Sequence, residues 1–449
     1  MATATMPKLI LATVEENVFQ LTAVKTNHSF LNDGNISELW TFNDMVSGPE
    51  IRAVKGSQIT IIFKNELDEA TSIHWHGIRI DNKMDGVSGL TQEAVKPGEE
   101  FTYSFTVPDA GTFWYHAHNM SWSHVARGLY GALIVEETEP LFDREHDITV
   151  IIDDWRLDAQ GKLEVLTIGG IKEWALTGRI GNFVTVNGKF QPQFQLKLNH
   201  NYRIRMINAA NSRIMAFDIN QMGAITVGLD GQALSAPVDN DQSTFFLGPA
   251  QRVDLFLSPK NTDSFSLIDI GDAEPIEIAN FHIENSSALA LNMPKLIPNE
   301  LPPLDLKNAF QKNVIIQGGA MSSMETPIYN GRKLSIVESL ESKKMWAFNG
   351  IANLTDSPFF ELKKGQTIIL DFLNDTSFRH AIHIHGHHFK VINNDYQENI
   401  GQPWRDTYLT KPNGTVKIAF TADNPGKWLL HCHMLEHSAG GMKTWFNVI

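Results

Sequence analysis

The stretch from Lys55 to His118 recurs from Lys364 to His433 with its spacing intact. Each copy opens on Lys-Gly (Lys55-Gly56, Lys364-Gly365), runs through an apolar stretch to an asparagine (Asn65, Asn374), and reaches a His-x-His pair (His74/His76, His383/His385). Gly56 to His74 and Gly365 to His383 are both 18 residues. The second half repeats too. Pro97-Gly98 and Pro412-Asn413-Gly414 precede a strand-like run, and Gly111 and Gly426 each stand five residues before another pair (His116/His118, His431/His433). Two long units that keep such spacing fold alike, around the same histidines. The runs between their turns, such as Gln58–Phe63, Phe101–Val107, Thr367–Phe372 and Val416–Phe420, are short and bounded by Gly, Pro, Asn and Asp, while long helical patterns are scarce. That is the pattern of an all-β chain built from sandwich domains.

The middle of the chain repeats the scaffold without the ligands. Leu196–Asn208 resembles the strand-to-Asn element and Gly248–Asp254 the Pro-Gly element, but His200 and His282 stand isolated. A chain of 449 residues holds about three domains at ~150 residues each. The boundaries fall in Glu136–Pro140 and in the proline-rich Met293–Pro303, an extended connector. The expected units are 1–140, 141–300 and 301–449, the second a spacer without metal ligands.

The formal charge of -14 and pI near 5.6 exclude nucleic acid and anionic membranes as natural partners. No run approaches the ~18 apolar residues of a membrane helix. The segment Met1–Lys8 lacks a charged stretch followed by an apolar one, so the chain is not exported or begins after a removed signal.

Seventeen histidines placed at random would give about 0.6 His-x-His pairs. Five occur: 74/76, 116/118, 383/385, 385/387 and 431/433. On a strand the two imidazoles of a pair share a face, offering two ligands to a common site. Eight histidines from two units can converge only at a shared interface, which suits a cluster of several metals. The last pair also flanks Cys432, the only cysteine, in His431-Cys432-His433-Met434-Leu435-Glu436-His437, with Met442 following. A lone cysteine makes no internal disulfide and is ordinarily a small buried hydrophobe. Two imidazoles, one thiolate and a weak axial thioether are instead what a blue-copper centre needs. Alternation along the strand turns Cys432 to one face and its flanking histidines to the other, so two metal sites would be joined by a few covalent bonds.

The motifs His74-Trp-His76-Gly77, His116-Ala-His118, His380-Ala-Ile-His383-Ile-His385-Gly386 and His431-Cys432-His433 resemble those of the three-domain multicopper oxidases of the laccase-like bacterial type, nearly end to end. Met84-Asp85-Gly86, Thr91-Gln92, Asp230-Gly231, Arg405-Asp406-Thr407 and Asn424-Pro425-Gly426 add to the likeness. The resemblance implies three consecutive cupredoxin-like Greek-key β-sandwich domains and four copper ions. A type 1 copper would sit on His380, Cys432 and His437 with Met442 axial, and a type 2 copper on His74 and His383. A type 3 pair would take His76, His116, His118, His385, His431 and His433. It implies single-electron oxidation of phenols or aromatic amines with O2 reduced to water, by a monomer. The location would be periplasmic or secreted if a signal was removed.

In the family the outer nitrogen edge of the histidine matching His437 faces the donor, which makes His437 and Cys432 the catalytic route for electrons. Asp85 resembles an acid that holds or passes protons, although an Asp-Gly turn alone explains it equally well. Relatives often carry a second acid directly after the type 1 histidine, where this chain has Ser438. Glu436 would substitute only if the backbone turned it inward, and a solvated side chain is the expected case. Ala381 replaces a usual proline without loss of a ligand. The remaining histidines, including His387 and His388, are expected on the surface or bonded beside the site. A cuprous oxidase is the alternative function, but Met321, Met324 and Met345 are a thin methionine set. A non-catalytic copper-binding protein on the same fold is the other alternative.

Overall fold

The computed structural model describes residues 17–31, 34–218, 222–238, 244–289, 292–320, 322–394 and 403–449. It is 46% strand and 8% helix, and its strands form three pairs of facing sheets. In the first pair, the order Ser37–Phe42, Val18–His28, Gln58–Asn65, Glu100–Thr106 packs on the order Gly48–Val54, Tyr130–Glu136, Gly111–Ala117, Ile73–His76. The last pair repeats this with sheets centred on Thr367–Asn374 and on Gly426–Cys432 beside Ala381–Ile384. The middle pair, between Asp147 and Glu284, has its own apolar core. The cores of the first and last pairs join into one cluster. Alternation places the side chains: Ile59, Ile61 and Phe63 point inward from one strand, Ile368, Leu370 and Phe372 from its counterpart.

The asparagine ending each repeated strand has a stated job. Asn65 Nδ2 donates to the Glu69 and Val95 carbonyls, Asn208 Nδ2 to Arg213 and Leu247, and Asn374 Nδ2 to Phe378 and Lys411. Each carboxamide pins the loop that leaves its strand and satisfies buried backbone there. In the first and third units that loop delivers the first histidine pair nine residues later. The repeat is therefore a device for presenting histidines at one edge of a sandwich.

A candidate copper centre

Antiparallel pairing sets the histidines opposite each other before any side chain is considered. His74 lies across from His116 between Ile73–His76 and Gly111–Ala117, while His383 lies across from His431 and Ile382 from Cys432. The two sheet edges then face one another across the junction of the first and third units. His74 stacks on His385 with ring centroids 3.8 Å apart, and His76 on His383 at 3.7 Å.

Five groups of ligand atoms converge there among the described residues: His74, His76 and His383; His76, His116 and His433; His118, His385 and His431; His380, Cys432 and His437; and His74, Asp85 and His385. Within three of them imidazole nitrogens face each other directly. His116 Nε2 is 3.3 Å from His433 Nε2, His385 Nε2 is 3.2 Å from His431 Nε2, and His380 Nδ1 is 3.1 Å from His437 Nδ1. Two nitrogens bound at ~2.0 Å to one ion at a near-tetrahedral angle lie about 3.3 Å apart, so the spacing fits a metal. Cys432 Sγ lies 3.6 Å from His380 Nδ1 and 3.9 Å from His437 Nδ1. The pairs divide differently among the groups: His74 and His76 share one, while His116 joins His433 in a second and His118 joins His431 in a third. In the pairs 116/118 and 431/433 the strand face is shared, but the spacing along it spans two groups.

The far side of most rings is fixed by an oxygen acceptor, which sets the tautomer and leaves a lone pair facing inward. His74, His116, His383 and His431 donate from Nδ1 to the carbonyls of Asp85, Ala117, Asp406 and Cys432 at 2.8–3.0 Å. The Nε2 atoms of His74 and His383 are buried without a hydrogen-bond partner, two inward lone pairs for one ion. His76 is turned over. Its Nε2 donates toward Asp406 Oδ1 and Thr407 Oγ1, both at 3.2 Å, and its Nδ1 is the orphan. His380 holds Thr376 Oγ1 with Nε2 at 2.9 Å, and His437 donates from Nε2 to the Leu176 carbonyl at 2.7 Å. This donor set, with most of its outer nitrogens bonded, fits copper. Met442 is buried, and its backbone ties to Cys432 and His437.

Electrostatics agree with metal binding, which needs neutral imidazoles. Burial, reinforced by neighbouring rings, holds His76, His116, His118, His380, His383, His385 and His433 well below the ordinary histidine range. Burial pushes His431 down to about 3 and His437 to about 4. The same burial pushes the Cys432 thiol up to about 12, so a metal must displace its proton to bind the thiolate.

A pH prediction follows for the copper-free chain. The unfolded histidines titrate near 6.5 and the folded ones far lower, so between those values the unfolded state holds more protons. Stability is therefore whole above about pH 6.5 and falls as pH drops below it. Buried Asp153 and Glu436, pushed up by desolvation, act in the opposite sense but are outnumbered. The urea midpoint is expected to decline steadily from about pH 7 to 5 and to stay level between about pH 7 and 8. A midpoint rising on acidification would refute the burial argument.

Asp85 and Asp406 lie against the ligands. Asp85 is fully buried; its Oδ2 accepts from His385 Nδ1 at 2.9 Å, and its Oδ1, 3.3 Å from His74 Nδ1, has no hydrogen-bond partner. The turn that seats it requires Gly86, where φ is +81° and a Cβ would lie 1.8 Å from the Ile73 carbonyl oxygen. Asp406 was legible only as part of Arg405-Asp406-Thr407. It touches His76 Nε2 and is clamped by Arg252 through two bonds of 2.8 and 2.6 Å. His387 and His388 are buried beside the site, His387 donating from Nδ1 to the His385 carbonyl at 3.1 Å.

Two expectations are corrected. Glu436 is not solvated. The short helix Leu435–Ala439 turns it inward, where Oε1 accepts from Asn211 Nδ2 at 2.8 Å and Oε2 from Ser212 Oγ at 3.0 Å. Nor does the outer edge of His437 face a pocket. The segment from Val165 to Leu176 covers it, and four of its carbonyls are held by the third unit. Trp346 Nε1 donates to Trp174 O (2.6 Å), Ala320 N to Ala175 O (2.7 Å), His437 Nε2 to Leu176 O (2.7 Å) and Lys343 Nζ to Gly169 O (2.6 Å). Three of these are the free carbonyls at the end of the helix Ile171–Ala175, so its negative end meets His437. Trp346 packs against the His437 ring with centroids 4.1 Å apart and the planes tilted by 33°. Met345 is buried in the core, whereas Met321 lies outside the described residues.

Sequence-family models described as multicopper oxidase match residues 23–140, 146–288 and 327–449. The multicopper oxidase MmcO of Mycobacterium tuberculosis is 29% identical over 92% of this chain and 83% of its own length. An iron transport multicopper oxidase of Epichloe festucae is 28% identical over 89% and 71%. The crystal structure of a multi-copper oxidase from Pseudomonas parafulva superposes with a TM-score of 0.82 at 32% identity, covering 96% of this chain and 99% of that one.

Proposed function

The chain belongs to the multicopper oxidase family, whose members are built from three cupredoxin-like domains and hold several copper ions, and from that premise we propose that it oxidises phenols or aromatic amines one electron at a time and reduces O2 to water. In this reading His380, Cys432, His437 and Met442 hold a type 1 copper, His74 and His383 a type 2 copper, and the other six histidines a type 3 pair. The domains divide near residues 140 and 300, and the chain acts as a monomer. The observation that carries the reading is the chain connectivity at Cys432: its thiol belongs to one ligand group while His431 and His433 belong to two others. Copper bound there supplies reversible one-electron chemistry.

What the protein does can be stated by atom. Cys432 and the peptide bonds on either side join the donor side to the oxygen side without a break. Burial excludes water from both. Asp85 can hold a proton at Oδ1, the free oxygen, while its Oδ2 keeps His385 aimed. The carbonyls at the end of Ile171–Ala175 orient His437 and favour positive charge behind it.

A second reading, oxidation of a metal ion such as Cu(I), is supported by the covered edge of His437, which leaves no ring-to-ring contact for a bulky donor. A relative named for iron transport is compatible with it. Oxygen uptake by the copper-loaded protein, measured in parallel with a phenol, an aromatic amine, a metal-free mediator dye and Cu(I), separates the two. Rapid uptake with Cu(I) and none with the aromatic donors would reject the first reading.

Lys343→Ala removes a bond that holds the cover and a cation over the Trp174 ring. It is expected to raise kcat/KM several-fold for a bulky phenol and to leave hexacyanoferrate(II) unchanged. Equal change for both donors would show that the cover does not select by size.

A further inference from the structure

One cavity of about 390 Å³ lies where the three units meet, with His118 on one wall and Trp174 and Ser438 on others. Three lysines line it, Lys343, Lys344 and Lys443, and no aspartate or glutamate does. The chain as a whole carries 51 acidic against 37 basic residues, so this is a local reversal of charge. Lys343 and Lys344 each spend one N–H on a carbonyl, of Gly169 and Ala439. An ammonium has three. Lys443 stands across the sheet from His431 and is half-buried, and the described residues give its Nζ no acceptor. Lys344, another cation, lines the same cavity.

A half-buried ammonium with no partner is costly, and a second one beside it raises the cost. The remedy that fits the geometry is an anion. We propose that this cavity is an anion-binding site, holding a small oxyanion or carboxylate between Lys344 and Lys443. The spare N–H groups are the donors that such a group accepts. Because the cavity reaches His118, an occupant there would stand at the mouth of the histidine cluster and obstruct small molecules passing to it. The inference rests on the lysines and the cavity, and it holds whichever donor the protein uses.

Titration calorimetry of the copper-loaded full chain with inorganic phosphate, and separately with acetate, at constant ionic strength and near-neutral pH tests it. One saturable site is expected for at least one of the two anions, and copper-free protein should bind with similar affinity. Lys443→Met is expected to weaken binding by about tenfold, the loss of one charge-assisted contact. Lys443→Arg should retain most of the affinity. Lys344→Met gives an independent reading if Lys443→Met fails to fold. Wild-type affinity in both methionine variants, no saturable binding of either anion, or binding that disappears when copper is removed would each overturn the proposal. The last outcome would put the anion on the metal.

Discussion

Cys432→Ser is expected to give a folded protein with no blue colour and oxygen uptake at background with every donor. The substitution exchanges one atom at a fully buried position. The contacts that hold the backbone there are main-chain: Cys432 N donates to the Met442 carbonyl, and Ile382 pairs across the strand. The fold therefore loses little. What goes is the thiolate, the ligand that selects copper in a site with two imidazoles and that gives a type 1 centre its colour. A serine hydroxyl neither deprotonates nor binds softly enough to replace it. The three groups built from the other eight histidines are untouched, since none uses a sulfur atom. Copper content should fall by the type 1 ion alone, and uptake should stop because donors lose their way in. Absorption spectra, metal analysis and an oxygen electrode read these three effects separately. Blue colour surviving in the serine variant would show that the type 1 assignment is wrong, even if activity were lost.

The convergence of these histidines and Cys432 was legible in the sequence because strand geometry is local. A His-x-His pair on a strand shares a face whatever lies beyond it, and equal spacing in two copies brings two such edges into register. Asn65 and Asn374 were visible for the same reason, as repeated ends of repeated strands. What was not legible comes from the middle unit, whose described residues join none of the ligand groups and which looked like a spacer. It supplies the Leu176 carbonyl over His437, Asn211 and Ser212 beneath Glu436, and Arg252 against Asp406. Each contact joins residues more than 150 positions apart and depends on how loops settle between units, which neither periodicity nor spacing records. The misplacement of Glu436 has the same origin. A short helix after His433 turns it inward, and acceptance of two hydrogen bonds from another unit makes its burial tolerable.

Arg252→Met is expected to cost the fold about 3–5 kcal/mol, the usual price of breaking a buried ion pair from one side. Arg252 and Asp406 are both wholly buried and joined by a bidentate pair of bonds. Arg252 Nε also donates to the Thr112 carbonyl at 3.1 Å, so one guanidinium ties the middle unit to the first and third units. The space is tight: a Cβ on Gly77 would run into Arg252 and Asp406 alike, and its φ of +86° already favours glycine. Methionine fills the volume of the arginine stem but leaves the Asp406 carboxylate without its cation. That carboxylate then takes up a proton or draws in water, and either change loosens Oδ1 from the Nε2–H of His76 that it holds. Loss of stability and loss of copper near His76 and His383 should therefore appear together. The double variant Arg252→Met/Asp406→Leu separates the causes. With no stranded charge it should regain part of the stability, because an apolar pair can replace a buried ionic one. It should not regain copper, because the outer nitrogen of His76 has lost an acceptor. Urea midpoints of the copper-free chains and metal analysis of the loaded ones measure the two quantities. A single variant within about 1 kcal/mol of the wild type would mean that water already satisfies Asp406 and that the pair does not bind the units together.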